Sequence, residues 1–112
     1  MPYPPKRFVY IIRSVNHPHK RYIGVSADVV ARVSAHNAGQ NRSTAPWKPW
    51  SVDVTIEFRT ERMALRFEKY LKSGAGHAFA NRHLADVPGE FEFVRQSLEL
   101  QAAESSGCKT GS

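Results

Sequence analysis

The sequence predicts a small α/β domain of the α+β type, with elements in the order β-β-α-β-α-α. Three observations carry that prediction. Two short aromatic and β-branched runs flank a turn segment near the start, a strictly alternating run follows at 51–58, and capped stretches of helical spacing lie between and after them. The 112 residues suit one domain with one modest core. A hydrophobic fraction of 41% belongs to a folded globular chain rather than a disordered one.

Taken in order, Pro2, Pro4 and Pro5 make residues 1–6 an extended lead-in that cannot be helical. RFVYIIRS at 7–14 reads as a buried strand, and VNHPHK at 15–20 carries turn residues. RYIGV at 21–25, overlapping the run KRYIG at 20–24, then supplies the second strand of an antiparallel hairpin, with Gly24 ending the strand and leaving room beside the following helix. Ser26 is the expected N-cap of a helix from Ala27 to Ala38, stopped by Gly39. Val29, Val30 and Val33 are mediocre helix formers, yet their spacing is helical. A polar loop with Pro46, Trp47, Pro49 and Trp50 follows.

In SVDVTIEF at 51–58, Val52, Val54, Ile56 and Phe58 alternate with polar residues, which predicts one buried and one wet face. Thr60 caps a helix from Glu61 to Lys72 whose Ala64, Phe67 and Leu71 face the sheet, and Ser73-Gly74 ends it. A third helix runs from residue 75 or 76 to Leu84. FEFVRQ at 91–96 reads equally as an edge strand or as irregular chain. Residues 7–96 therefore form the expected domain, and 97–112 a polar tail expected to be disordered.

The net charge of +6 favours a polyanionic partner, nucleic acid first and an anionic membrane second, although small proteins also carry such charge without one. A single cysteine, Cys108, excludes an internal disulfide and a cysteine-rich zinc cage. The start Met1-Pro-Tyr-Pro-Pro is a poor secretory signal, and the apolar run Phe8 to Ile12 is too short to span a bilayer. The expectation is a reducing, cytoplasmic protein that does not enter a membrane.

Some side chains could carry chemistry. Tyr10 and Tyr22 become near neighbours in a hairpin turning around 16–18, either as two phenols on one sheet face or as packed strand tyrosines with wet hydroxyls. Asp28, Arg32 and His36 form one helical stripe, readable as a phosphate and proton-transfer surface or as a solvated ion pair. Glu68 sits at the edge of an apolar stripe, either paired with Lys72 or turned into a cleft as a ligand. His17 and His19 have metal-ligand spacing but read better as exposed turn residues. KSGAGHAF at 72–79 could seat a phosphate at a helix start, and a cap followed by a new helix explains the same glycines.

These features occur in one order. FVYIIRS, RYIGVSADVVARVSAHNAG, KPWSVDVTIEF and ALRFEKYLKSGAGHAF, across residues 7–84, resemble the GIY-YIG nuclease superfamily, specifically small stand-alone members similar to the nuclease domain of UvrC and of intron-encoded endonucleases. The resemblance implies a three-stranded antiparallel sheet flanked by helices, with the site on one sheet face. It implies phosphodiester hydrolysis with one divalent cation, Mg2+ or Mn2+. It assigns Tyr10 and Tyr22 to the two motif tyrosines, Arg32 to the helix arginine, His36 to the position four residues later, and Glu68 to the metal-binding glutamate.

On that basis Glu68 holds the metal, Arg32 faces the charge developing on phosphorus, and Tyr22 is the candidate general base. A free phenol has a pKa of about 10, so Tyr22 needs nearby cations to act as phenolate. Tyr10 would orient the water or a phosphate oxygen, and His36 would share the proton or bind the phosphate. Lys20, Arg21, Lys69 and Lys72 are the cations expected at nucleic acid. Phe8 replaces the glycine that opens the first motif, and Val25 stands where many repair-type relatives carry lysine. Relatives generally draw affinity from an attached DNA-binding domain, so weak, phosphate-driven binding or recruitment by a protein partner is expected. The functional expectation is a metal-dependent endonuclease directed by DNA structure, acting in repair or recombination. The alternatives are a non-catalytic nucleic-acid-binding module of the same fold and a nuclease directed at RNA.

Overall fold

The computed structural model describes residues 7–85 and 92–94, so the expected lead-in over 1–6 and polar tail over 97–112 lie outside the described residues. The hairpin forms as its pattern requires: β1 (Arg7–Ser14) pairs antiparallel with β2 (Lys20–Ser26). After helix α1 (Val29–Asn37) and a 3-10 turn at Ala45–Trp47, strand β3 (Trp50–Phe58) pairs antiparallel with the other edge of β1. Helices α2 (Glu61–Leu71) and α3 (Gly74–His83) follow, and a short strand β4 (Glu92–Phe93) completes the chain's described elements.

The sheet has four strands in the order β3-β1-β2-β4, rather than the three antiparallel strands expected. The addition is β4, which lies parallel to β2 and is held by backbone bonds from Glu92 to His19 and from Val94 to Arg21. Its two residues are too few to show a strand periodicity, which is why FEFVRQ could not be assigned.

Two apolar layers cover the two faces. Val9, Ile11 and Ile23 point to α2 and α3, where they meet Ala64, Leu71 and Ala80 with Phe58, Phe67 and Phe79 at the margin. Tyr10, Ile12, Tyr22 and Trp50 form the other layer beneath Val29 and Val33 of α1. Helix α2 thus buries the face predicted for it. Near its end Gly76 lies so close to the Tyr70 carbonyl that a Cβ would collide with it, so this glycine serves the α2–α3 junction. No helix among the described residues is long and apolar enough to cross a membrane.

The alternation of β3 breaks once. The register shifts after Ile11, which faces Val54, so that Ile12 faces Val52 and Asp53 has no strand partner. Val52 therefore leaves the buried set expected for it and is 49% exposed. The shift delivers Asp53 to two arginines that face each other across the hairpin, Arg13 and Arg21. Its carboxylate accepts from Arg13 Nη2 and from Arg21 Nε, both at 2.9 Å. Burial opposes ionisation of Asp53, but the hydrogen bonds and charges of Arg21 and Arg13 outweigh it and hold the carboxyl below its usual range.

Helix ends follow side-chain caps. Thr60 caps α2 by accepting from the Met63 amide at 3.2 Å, as its sequence position predicts. For α1 the cap is Asp28, which accepts from the Ala31 amide at 3.0 Å, and not Ser26. Ser26 is the last residue of β2, and its hydroxyl binds the Asp28 backbone instead. Gly39, at φ 80°, ends this segment in the left-handed region.

Candidate active site

The two tyrosines share the α1 face of the sheet, but they are not opposite each other. Tyr10 pairs with Gly24 and Tyr22 with Ile12, so the phenols are diagonal neighbours with ring centroids 6.4 Å apart. Gly24 has a role the sequence did not disclose. A Cβ at this position would overlap the hydroxyl, Cζ and Cε1 of Tyr10, so the ring crosses the neighbouring strand only because residue 24 has no side chain. The expected room for a helix is in fact room for a phenol, and Gly24 does not end the strand, which runs on to Ser26.

His36, reaching down from α1, closes the cluster. Its Nε2 lies 2.9 Å from the Tyr10 hydroxyl, and its ring stands edge-on to Tyr22 with centroids 4.8 Å apart. Tyr10, Tyr22 and His36 are all buried. Burial pushes the Tyr10 phenol well above its usual range; charge on Tyr22 adds to the rise and Glu68 adds a smaller part, while the charge of Arg32 opposes it. Burial also holds His36 down at about 4, with the Arg32 charge contributing, so the ring is neutral near pH 7. Burial thus keeps the Tyr10 phenol protonated.

Arg32 is one helical turn before His36 and is exposed, at the open side of this cluster. It lines an open cleft of about 480 Å³ whose walls include Val25, Ser26 and Asp28 on one side and Glu61 and Leu65 of α2 on the other. Glu68 lies one turn beyond Leu65 on α2. Its Oε2 accepts from Lys72 Nζ at 2.9 Å, so its carboxylate is held by the i+4 pair that the sequence allowed.

Among the described residues no group of three or more His, Cys, Asp or Glu side chains converges as a metal cage. The donor chemistry at Glu68 nevertheless fits a hard divalent cation, because magnesium commonly takes one or two carboxylates and completes its shell with water and phosphate oxygens.

The four cations expected at nucleic acid have different fates. Arg21 is 1% exposed, bonded to Asp53 and to the Pro18 carbonyl, which spends its charge inside the sheet and removes it from any ligand surface. Lys20 bonds Glu92 at 2.8 Å and lies 4.4 Å over the Trp47 ring. Lys72 is the partner of Glu68. Lys69 is exposed on α2.

Sequence reasoning missed Thr44. Its buried hydroxyl lies 2.8 Å from His36 Nδ1, on the side of the ring away from Tyr10. No period or motif marks it, because it comes from an irregular loop. The available signal was a small polar residue beside apolar Trp47 and Trp50 in that loop.

A family model described as the GIY-YIG catalytic domain matches residues 6–78. The chain is also 32% identical over 83 residues to the structure-specific endonuclease subunit SLX1 of Candida dubliniensis, an alignment that takes in 68% of this chain and 28% of that protein. The chain thus spans under a third of the length of that relative.

Proposed function

The chain belongs to the family of GIY-YIG catalytic domains, and on that footing we propose that it is an endonuclease that hydrolyses phosphodiester bonds in DNA with one Mg2+ or Mn2+ ion. One observation carries the reading. Tyr10, Tyr22 and His36 meet in a single buried cluster at which the charges of Arg32 and Glu68 are both felt, beside a cleft open to solvent. Packing alone does not require two phenols and an imidazole to converge beside a cleft lined by an arginine.

Glu68 would hold the cation, which supplies charge neutralisation at the phosphate. The chain's own groups divide the remaining work. Arg32 faces the cleft, where it can meet negative charge developing on phosphate oxygens. Tyr22, the second motif tyrosine, is the group to accept the proton of the attacking water. Tyr10, neutral and tied to His36, orients the water or a phosphate oxygen. As the water oxygen bonds to phosphorus, its proton passes to Tyr22 acting as phenolate, and the bond from phosphorus to the leaving oxygen breaks with its electron pair, the oxygen departing as an alkoxide that takes a proton from solvent.

The relative's description as structure-specific supports selection of DNA by structure rather than by sequence, in repair or recombination. Its description as a subunit supports recruitment by a protein partner. Labelled duplex, single-stranded, flap and branched DNA, and RNA, are incubated with the protein with and without Mg2+ or Mn2+, beside Glu68→Ala. The expected result is metal-dependent cleavage of branched or flap DNA that falls to background in the variant. Binding without cleavage on every substrate would favour the alternative, a non-catalytic nucleic-acid-binding module, and cleavage of RNA alone would redirect the assignment.

A further inference from the structure

His36 bonds on both sides, and its two partners constrain where the ring proton resides. On one side the Tyr10 hydroxyl lies 2.9 Å from Nε2, and on the other the Thr44 hydroxyl lies 2.8 Å from Nδ1. What else surrounds each hydroxyl decides which way these bonds run. Thr44 donates to the Asn41 carbonyl at 3.4 Å, and a carbonyl can only accept. Tyr10 is fully buried, and among the described residues its hydroxyl has no hydrogen-bond partner other than His36 Nε2.

Only one arrangement gives every proton an acceptor. With the ring proton on Nδ1, His36 donates to Thr44, Thr44 donates to Asn41, and Tyr10 donates to Nε2. With the proton on Nε2, the Tyr10 oxygen receives from His36, and its own buried proton has no acceptor among these groups. An unsatisfied buried donor is the costlier state.

We propose that Thr44 is a positioning residue that fixes His36 in its Nδ1–H tautomer, so that Tyr10 donates to His36 and keeps its oxygen lone pairs for the reacting side. The proposal rests on the reading of Tyr10 and His36 as active-site groups. Thr44 is built to hold this orientation. The Asn41 side chain accepts from the Ser43 and Thr44 amides at 2.8 and 3.2 Å, and Trp50 Nε1 donates to the Thr44 carbonyl at 3.0 Å. Asn37 and Trp50 exchange two further bonds between α1 and β3, which lock the loop against the helix that carries His36.

The test reads the tautomer directly. The full chain is labelled with 15N-histidine, and two-bond 1H–15N spectra are recorded at pH 7.5, with His36 assigned by its loss in His36→Gln. The expected result is a protonated Nδ1 and a bare Nε2 in the wild type, retained in Thr44→Ser, with the Nε2–H form appearing in Thr44→Val. Cleavage by Thr44→Val should show kcat about tenfold lower with KM unchanged, and Thr44→Ser should restore it. A wild-type ring protonated on Nε2, or an unchanged tautomer in a folded Thr44→Val, overturns the proposal. An altered tautomer with wild-type kcat overturns its catalytic consequence. Should Thr44→Val not fold, the wild-type and Thr44→Ser spectra still decide. If the wild type cleaves no substrate, the nuclease reading fails, while the spectra still decide the role of Thr44.

Discussion

At position 24 any side chain must compete with the Tyr10 ring for the same space, so Gly24→Ala tests packing and chemistry together. The variant should lose about 1–3 kcal/mol of stability, read from urea unfolding, and should cleave poorly because Tyr10 is pushed off His36. A second consequence concerns acid. His36 is held at about 4 in the fold against an ordinary value of 6.5, so between those pH values the unfolded chain binds the extra proton. Stability therefore falls as pH drops from about 6.5 toward 4, by on the order of 3 kcal/mol for this residue, and is unaffected by it above that window. Urea midpoints at pH 7.5 and 5 should differ more in the wild type than in His36→Gln. At this scale the sequence was partly legible. Strand spacing and the hairpin turn put Tyr10 and Tyr22 on one face, whereas their diagonal register depends on where the turn closes. Thr44 was invisible because its contact with His36 is made by a loop whose path no periodicity encodes.

Among the elements, the irregular point of β3 matters most. Arg13 and Arg21 face each other across the hairpin, and like charges so placed repel until Asp53 is inserted between them. Asp53→Ala should cost about 3–5 kcal/mol, because it leaves Arg21 buried without its carboxylate. Replacing the pair together, Arg21→Met with Asp53→Leu, should cost less than Asp53→Ala alone, measured by thermal and urea unfolding. The depressed Asp53 carboxyl also ties stability to pH, with the opposite group chemistry but the same direction: its contribution is present above the unfolded carboxylate value and is lost as pH falls through the lower folded one. Helices α1, α2 and α3 were legible to within one or two residues, since caps and 3.6-residue spacing are local. The bulge and β4 were not. A register shift is a decision made between strands, and β4 is defined only by its partner β2.

For the molecule as a whole, the net charge of +6 sets expectations for binding rather than for fold. Affinity for DNA should fall linearly in log salt, with a slope of about −0.9 per phosphate neutralised. Lys69→Ala should make that slope shallower by about one unit if Lys69 meets a phosphate, as measured by fluorescence anisotropy from low to high salt. The strand order has a further consequence. β1, which carries Tyr10, is flanked on both sides by strands, whereas α1 is nine residues long and rests on one face with Arg32 and His36. Amides of Tyr10, Ile11 and Ile12 should therefore exchange with deuterium only through global unfolding, and those of α1 through smaller openings of lower free energy. Tyr10 is thus anchored to the slowest-exchanging strand, whereas Arg32 and His36 ride on a helix that should open first. On warming, the protein should fall silent as a catalyst while its sheet still gives a native spectrum.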